Sequence, residues 1–272
     1  MQPVYHPFKN AVVRNGRKLV ENPLALGEDH RFYMDFDKIE EQFAKEQVKL
    51  LILCTPHNPG GRGLDKGRTG ASHCSLSEIQ GKVVADEIHH DFVFPGHEHA
   101  EFAPLNKEMQ ENCIVCTAPS KTFNIAGLGL SNIFIPNQLA DSFPGRNGQR
   151  RTGHHQSGVH GSLQGSLCLR RRLAGAAFSL HKRKRGLCTE LLAVNLPQIA
   201  MMPLDGTYLA WLDFSALGMT QEELNDFLLN KAKIWLNSGE IFGINGEGIC
   251  AEYRLSKKCA ETGNGTVESC TG

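Results

Sequence analysis

No apolar run in these 272 residues approaches the length of a membrane span, and the first residues carry no secretory-signal pattern. Acidic residues are absent between Asp141 and Glu190, while Arg146, Arg150, Arg151, Arg170, Arg171, Arg172, Lys182, Arg183, Lys184 and Arg185 all fall there. That basic block carries only Phe143 and Phe178 as aromatics on which bases would stack, too few for a stacking platform, and 29 basic against 29 acidic residues leave the chain with no net charge. A pair of CxxC motifs is missing, and the twelve histidines show no zinc spacing; His89-His90 and His154-His155 read as incidental. No Gly-rich phosphate loop is evident. The expectation is a cytoplasmic chain in a reducing setting with no membrane, nucleic-acid or metal partner, whose Cys54, Cys113 and Cys116 are buried thiols.

What is present is a set of short apolar runs, each followed by one polar group. Residues 50–54 (LLILC) lead to Asn58, 81–85 (GKVVA) to Asp86, and 113–117 (CIVCT) to Lys121. Such runs read as buried parallel strands, and ligand sites of open α/β sheets gather at strand C-terminal ends. An amine, a carboxylate and a hydrogen-bond donor delivered from three strand exits are the groups that pyridoxal phosphate requires. The amine forms the Schiff base, the carboxylate faces the pyridinium nitrogen, and the donor faces the ring hydroxylate. An ordinary parallel sheet with polar loop ends explains the strands but not this coincidence.

The strings CTPHNPGGR (54–62), VVADEIHHDFVF (83–94) and PSKTFNIAGL (119–128) resemble the fold-type I pyridoxal-phosphate enzymes of the class I/II aminotransferase superfamily. Within it they resemble most the MalY/PatB branch of cystathionine β-lyases, through His57 before Asn58, the Glu87-Ile88-His89-His90-Asp91 continuation, and Ser120 to Asn124. PVYHPF (3–8), GTYLAWLDF (206–214) and NSGEIFG (237–243) extend the likeness. The resemblance implies an α/β large domain with a mostly parallel sheet, incomplete here, over 1–170, and a smaller α+β C-terminal domain over 171–272. Lys121 would be the Schiff-base lysine, Asp86 the partner of the pyridinium nitrogen, Asn58 and His89 the neighbours of the ring hydroxyl. Tyr5 stands where the family stacks an aromatic on the ring, though a core tyrosine is an equal reading. Ser120 and Asn124 are weaker candidates for phosphate and loop contacts.

The implied reaction is α,β-elimination of cystathionine or a cysteine S-conjugate to thiol, pyruvate and ammonia, in a homodimer. An inactive truncated remnant, a regulatory binding module and an aminotransferase remain alternatives, so enzymatic activity itself stays open. Along the chain, 35–45 reads as a helix, 201–214 as a strand, and Thr220 with Glu223 as a capping box opening a helix. Arg254, in AEYR (251–254), does not match the family's carboxylate-binding motif and receives no role.

Three segments depart from the family. Residues 63–81 hold four glycines where a crossover needs an amphipathic helix. Residues 141–190 form the basic block, and 249–272 contain three cysteines without a helical pattern. The N-terminal region that cradles the cofactor phosphate and faces a partner subunit is expected to be missing. Because motif spacing is preserved across the first two segments, they read as translated out of frame; a genuine basic arm is the alternative. Sequencing the coding DNA decides between them, and an intact frame through 141–190 overturns the first reading.

Overall fold

The computed structural model describes residues 1–63, 81–102, 107–140, 159–246 and 249–254. In chain order its strands are β1 (Ala25–Leu26), β2 (Phe32–Tyr33), β3 (Leu50–Cys54), β4 (Lys82–Asp86), β5 (Cys113–Thr117), β6 (Asn132–Phe134), β7 (Ala200–Met201), β8 (Leu209–Asp213), β9 (Asn237–Ser238) and β10 (Ile249–Arg254). The chain divides into two compact units, one of residues 1–34, 57–62 and 178–272, the other of 35–56 and 63–177. Compactness thus draws different lines from the domains expected at 1–170 and 171–272.

The second unit is built on the sheet β3-β4-β5-β6, in which β3, β4 and β5 run parallel and β6 closes the edge antiparallel. All three apolar runs of the sequence are therefore strands of one sheet. The register aligns Cys54 with Asp86 and Asp86 with Cys116, so the three strand ends lie level. In β4, Val83 and Ala85 are buried while Lys82, Val84 and Asp86 are half-buried, the alternation of a pleated strand. Helix Phe36–Glu46 opens as the sequence predicts: Asp35 caps it by accepting from the Lys38 N–H at 3.1 Å, and its apolar face buries Ile39. Leu53, Phe92, Phe94, Phe102 and Cys113 fill out the core of this unit. Cys54 and Cys113 are buried free thiols as expected, whereas Cys116 is only half-buried.

The first unit centres on the antiparallel sheet β7-β8-β10-β9. Here β8 is buried from Leu209 to Leu212, and Trp211 is wholly enclosed, edge-on to Phe242 at 5.3 Å and Phe32 at 6.2 Å. Backbone hydrogen bonding explains why the N-terminal residues belong here. Gln2 donates to Asn22 O (2.8 Å) and accepts from Leu24 N–H (2.7 Å), while Val4 donates to Phe242 O (2.9 Å). Gln2 Oε1 also accepts from the Ile244 N–H at 3.1 Å.

The predicted 201–214 strand is two strands, β7 and β8, with Met202 N–H returning to Trp211 O across their connection. The Thr220–Glu223 capping box forms and opens helix Gln221–Asp226, which passes into a π-helical turn over Phe227–Lys231. β10 occupies the start of 249–272, a segment expected to depart from the family, and pairs with both β8 and β9. The helix Val159–Asn195 takes up much of the basic block. Near its end His181 stacks on Tyr208 at 5.7 Å and Arg185 donates to Leu204 O at 3.0 Å. Residues 64–80 and 141–158 lie outside the described residues. No described helix is long and apolar enough to cross a membrane. Replacing Trp211 by Ala is expected to destabilise the chain by about 3–5 kcal/mol, measured by urea unfolding followed by circular dichroism.

Candidate active site

Of the sequence-predicted site residues, Asp86, His89, Ser120 and Lys121 come together in the second unit, with Asn124 just beyond them. They leave the C-terminal ends of the adjacent parallel strands β4 and β5. The chain turns after Asp86, where the Ile88 N–H returns to Asp86 Oδ1 at 3.2 Å, His90 N–H to Glu87 O at 3.0 Å and Phe92 N–H to His89 O at 2.9 Å. After β5, Pro119 starts the short helix Pro119–Thr122, as suits a residue with no N–H to satisfy, and places Ser120 and Lys121 in one turn. Phe123 N–H to Pro119 O and Ile125 N–H to Ser120 O, both 3.0 Å, close that turn, and Asn124 takes a left-handed φ of 54°. Two hydrogen bonds brace the two exits against one another. Glu87 donates its N–H to Cys116 O at 2.8 Å, and the Thr122 hydroxyl donates to Asp91 Oδ2 at 2.7 Å.

Electrostatics distinguish the four residues. Burial raises the Asp86 carboxyl to about 6, opposed by the Ile88 N–H and the Lys121 charge and assisted by the Glu87 charge. Among the described residues its carboxylate accepts one hydrogen bond, from Ile88. A carboxylate so little compensated is suited to face a cationic N–H from a ligand. His89 is 2% exposed, and burial, with the Lys121 charge, lowers it to about 4, so its ring is neutral near pH 7. Glu87, also buried, carries its own partners: His99 Nε2 at 3.0 Å and the Phe102 N–H at 2.9 Å.

The other two predicted residues, Tyr5 and Asn58, lie in the first unit, where the Tyr5 N–H donates to Asn58 O at 3.0 Å. Asn58 is buried, and the loop around it is held tightly. His57 and Arg62 close it (His57 N–H to Arg62 O, 2.7 Å), and Gly61 O accepts from both Asp205 and Gly206 N–H at 2.9 and 2.8 Å. Gly61 has φ +66°, and a Cβ there would meet Leu204 at 2.1 Å, so only glycine fits. The His57 ring, pushed down to about 4 by burial, accepts the Gly60 N–H at Nδ1. Tyr5 is half-buried and packs edge-on to Phe8.

Sequence reasoning passed over Asp91 and Thr122. The signal was available, since Thr122 follows the candidate lysine and Asp91 ends the turn begun by Asp86. No metal-binding cluster of His, Cys, Asp and Glu occurs among the described residues.

The family profile described as aminotransferase class I and II matches residues 1–256. Cystathionine beta-lyase PatB of Bacillus subtilis is 35% identical over 269 residues, covering 95% of this chain and 66% of the relative. Protein MalY of Escherichia coli is 27% identical, covering 94% and 65%. Among solved structures, cystalysin from Treponema denticola, which contains a pyridoxal 5'-phosphate cofactor, superimposes with a TM-score of 0.88 at 30% identity, covering 94% of this chain and 65% of that one. The PLP-bound C-S lyase from Staphylococcus hominis gives 0.82 at 27%, covering 93% and 64%. The fold is thus the fold-type I architecture expected from the sequence, and the chain spans about two thirds of the length of the relatives it matches.

The pH dependence of stability checks the burial of Asp86. A folded-state value near 6 against the ordinary 3.8 means that stability from the protonated carboxyl is fully present below 3.8 and lost as pH rises through about 6. His57 and His89 act in the opposite sense, their contribution being lost as pH falls from 6.5 through about 4. They cancel when Asp86→Asn is compared with the parent chain. Without added ligand, the variant should gain relative stability steadily from about pH 4 to about pH 6 in urea titrations. A pH-independent difference would show that Asp86 is solvated.

Proposed function

The chain belongs to the class I and II aminotransferase family, and from that premise we propose that it is a pyridoxal-phosphate-dependent carbon–sulfur β-lyase. It would eliminate the β-thiol of cystathionine or a related cysteine S-conjugate, leaving pyruvate and ammonia. The observation that carries this reading is the buried, under-compensated Asp86 carboxylate beside the Lys121 turn, at the ends of two central strands. Relatives named as cystathionine β-lyases support the choice of elimination over transamination.

Lys121 Nζ would hold the cofactor's aldehyde carbon, and Asp86 its ring nitrogen. When bound, pyridoxal phosphate supplies an electron sink conjugated to the substrate Cα. Asp86, ionised above about pH 6, would accept a hydrogen bond from the ring N–H and so favour the protonated nitrogen. His89, a neutral imidazole, can both donate and accept and would address the ring hydroxyl, the role also assigned to Asn58. Lys121 is assigned to take the Cα proton as general base. Tyr5 is assigned to stack on the ring and Ser120 to the phosphate. The tie from Tyr5 N–H to Asn58 O supports treating that pair as one group. A homodimer in the cytoplasm, acting on a small amino acid and contacting neither membrane nor nucleic acid, completes the proposal.

The full chain with added pyridoxal phosphate should develop a visible absorbance band that borohydride abolishes and Lys121→Ala never shows. With cystathionine it should release pyruvate without an acceptor keto acid. Pyruvate release that requires a keto acid would identify an aminotransferase, and a band unchanged in Lys121→Ala would remove the reading altogether.

A further inference from the structure

We propose that Asp91 is a positioning residue for Lys121, acting through the Thr122 hydroxyl, so that the turn bearing the lysine is clamped to the turn bearing Asp86 and His89. The inference rests on the reading of Lys121 as the cofactor-bearing lysine.

Lys121 sits in a four-residue helix, which has little stability of its own because one turn fixes several dihedrals for few hydrogen bonds. Its closing bonds, Phe123 N–H to Pro119 O and Ile125 N–H to Ser120 O, are internal and do not fix the turn relative to anything else. Among the described side-chain hydrogen bonds, one from this helix reaches the Asp86 turn: Thr122 Oγ1 to Asp91 Oδ2, 2.7 Å. That length is typical of a hydroxyl on a carboxylate. Asp91 Oδ1 lies 3.5 Å from His90 Nε2, and the His90 ring is itself held by Glu87 O at 2.7 Å. Asp91 is thus the acceptor that the Asp86 turn presents to the Lys121 turn.

Together with Glu87 N–H to Cys116 O, this makes a frame with one rung at the strand ends and a second at the far side of both turns. The first rung is backbone and indifferent to side chains. The second depends on a hydroxyl at 122 and an acceptor at 91. A one-ångström error in the placement of a reacting amine is expensive, which is the reason to brace it at the adjacent residue.

The test compares the full-length parent chain with Thr122→Ser, Thr122→Val, Asp91→Ala and the Val/Ala double variant. Each is incubated with subsaturating pyridoxal phosphate, reduced with borohydride, and analysed by mass spectrometry for label on Lys121. Loss of a hydrogen bond to a charged group should lower labelling roughly tenfold in Thr122→Val and in Asp91→Ala. The double variant should lose no more than either single change, and Thr122→Ser should retain parental labelling. Parental labelling in Thr122→Val, or additive losses in the double variant, would overturn the clamp while leaving the cofactor reading intact. If the parent itself labels nowhere, the cofactor reading fails. Hydrogen exchange of the Phe123 and Ile125 amides in the cofactor-free chains then decides the clamp alone: faster exchange in Thr122→Val than in Thr122→Ser upholds it, and equal rates overturn it.

Discussion

The level alignment of β3, β4 and β5 is the constraint on which the rest depends. Parallel pairing puts Cys54, Asp86 and Cys116 at one height, so whatever follows each strand leaves from the same edge of the sheet. A slip of one residue would turn Asp86 from the face it shares with Val84 to the face of Val83 and Ala85, and into the core. The ladder continues one step beyond the strands, with Thr55 N–H on Asp86 O at 2.9 Å and Glu87 N–H on Cys116 O at 2.8 Å. The residues that matter chemically begin where these bonds end.

Burial at that edge is what separates two neighbouring carboxylates. Glu87 points into the core and is satisfied there by His99 and the Phe102 N–H. Asp86 has a single backbone donor and is raised by burial. The same desolvation acts on His89, holding it neutral at the pH where Asp86 is ionised. One satisfied acid, one frustrated acid and one neutral imidazole within four residues follow from strand alternation and a tight turn, with no unusual residue required.

Much of this was legible in the sequence. The three apolar runs, the helix capped by Asp35 and the capping box at Thr220 are local signals, and the structure repeats them. The placing of Asp86, His89, Ser120 and Lys121 just beyond two strand ends followed from the apolar runs and the motifs after them. What escaped was long-range. Nothing near Gln2 announces that it hydrogen-bonds to Asn22, Leu24 and Ile244 and draws the N-terminal residues into the unit of β8. Nor does Thr122 announce Asp91, thirty-one residues earlier, as its acceptor. β10 was missed because its cysteine-bearing stretch lacks a clear period of its own and takes its conformation from pairing with β8 and β9.

The two groups of candidate residues are each braced within their own unit. Asp86, His89 and Lys121 depend on the parallel ladder and the Glu87 and Thr122 rungs, while Tyr5 and Asn58 depend on one another and on the Gly61 loop. Groups assigned to hold a cofactor covalently and at its ring nitrogen belong wholly to the first set. Groups assigned to its hydroxyl and its face are divided, His89 in the first and Asn58 and Tyr5 in the second. The bracing of Asp86, His89 and Lys121 thus follows from the order of one sheet, whereas that of Tyr5 and Asn58 follows from a backbone bond and a glycine-dependent loop.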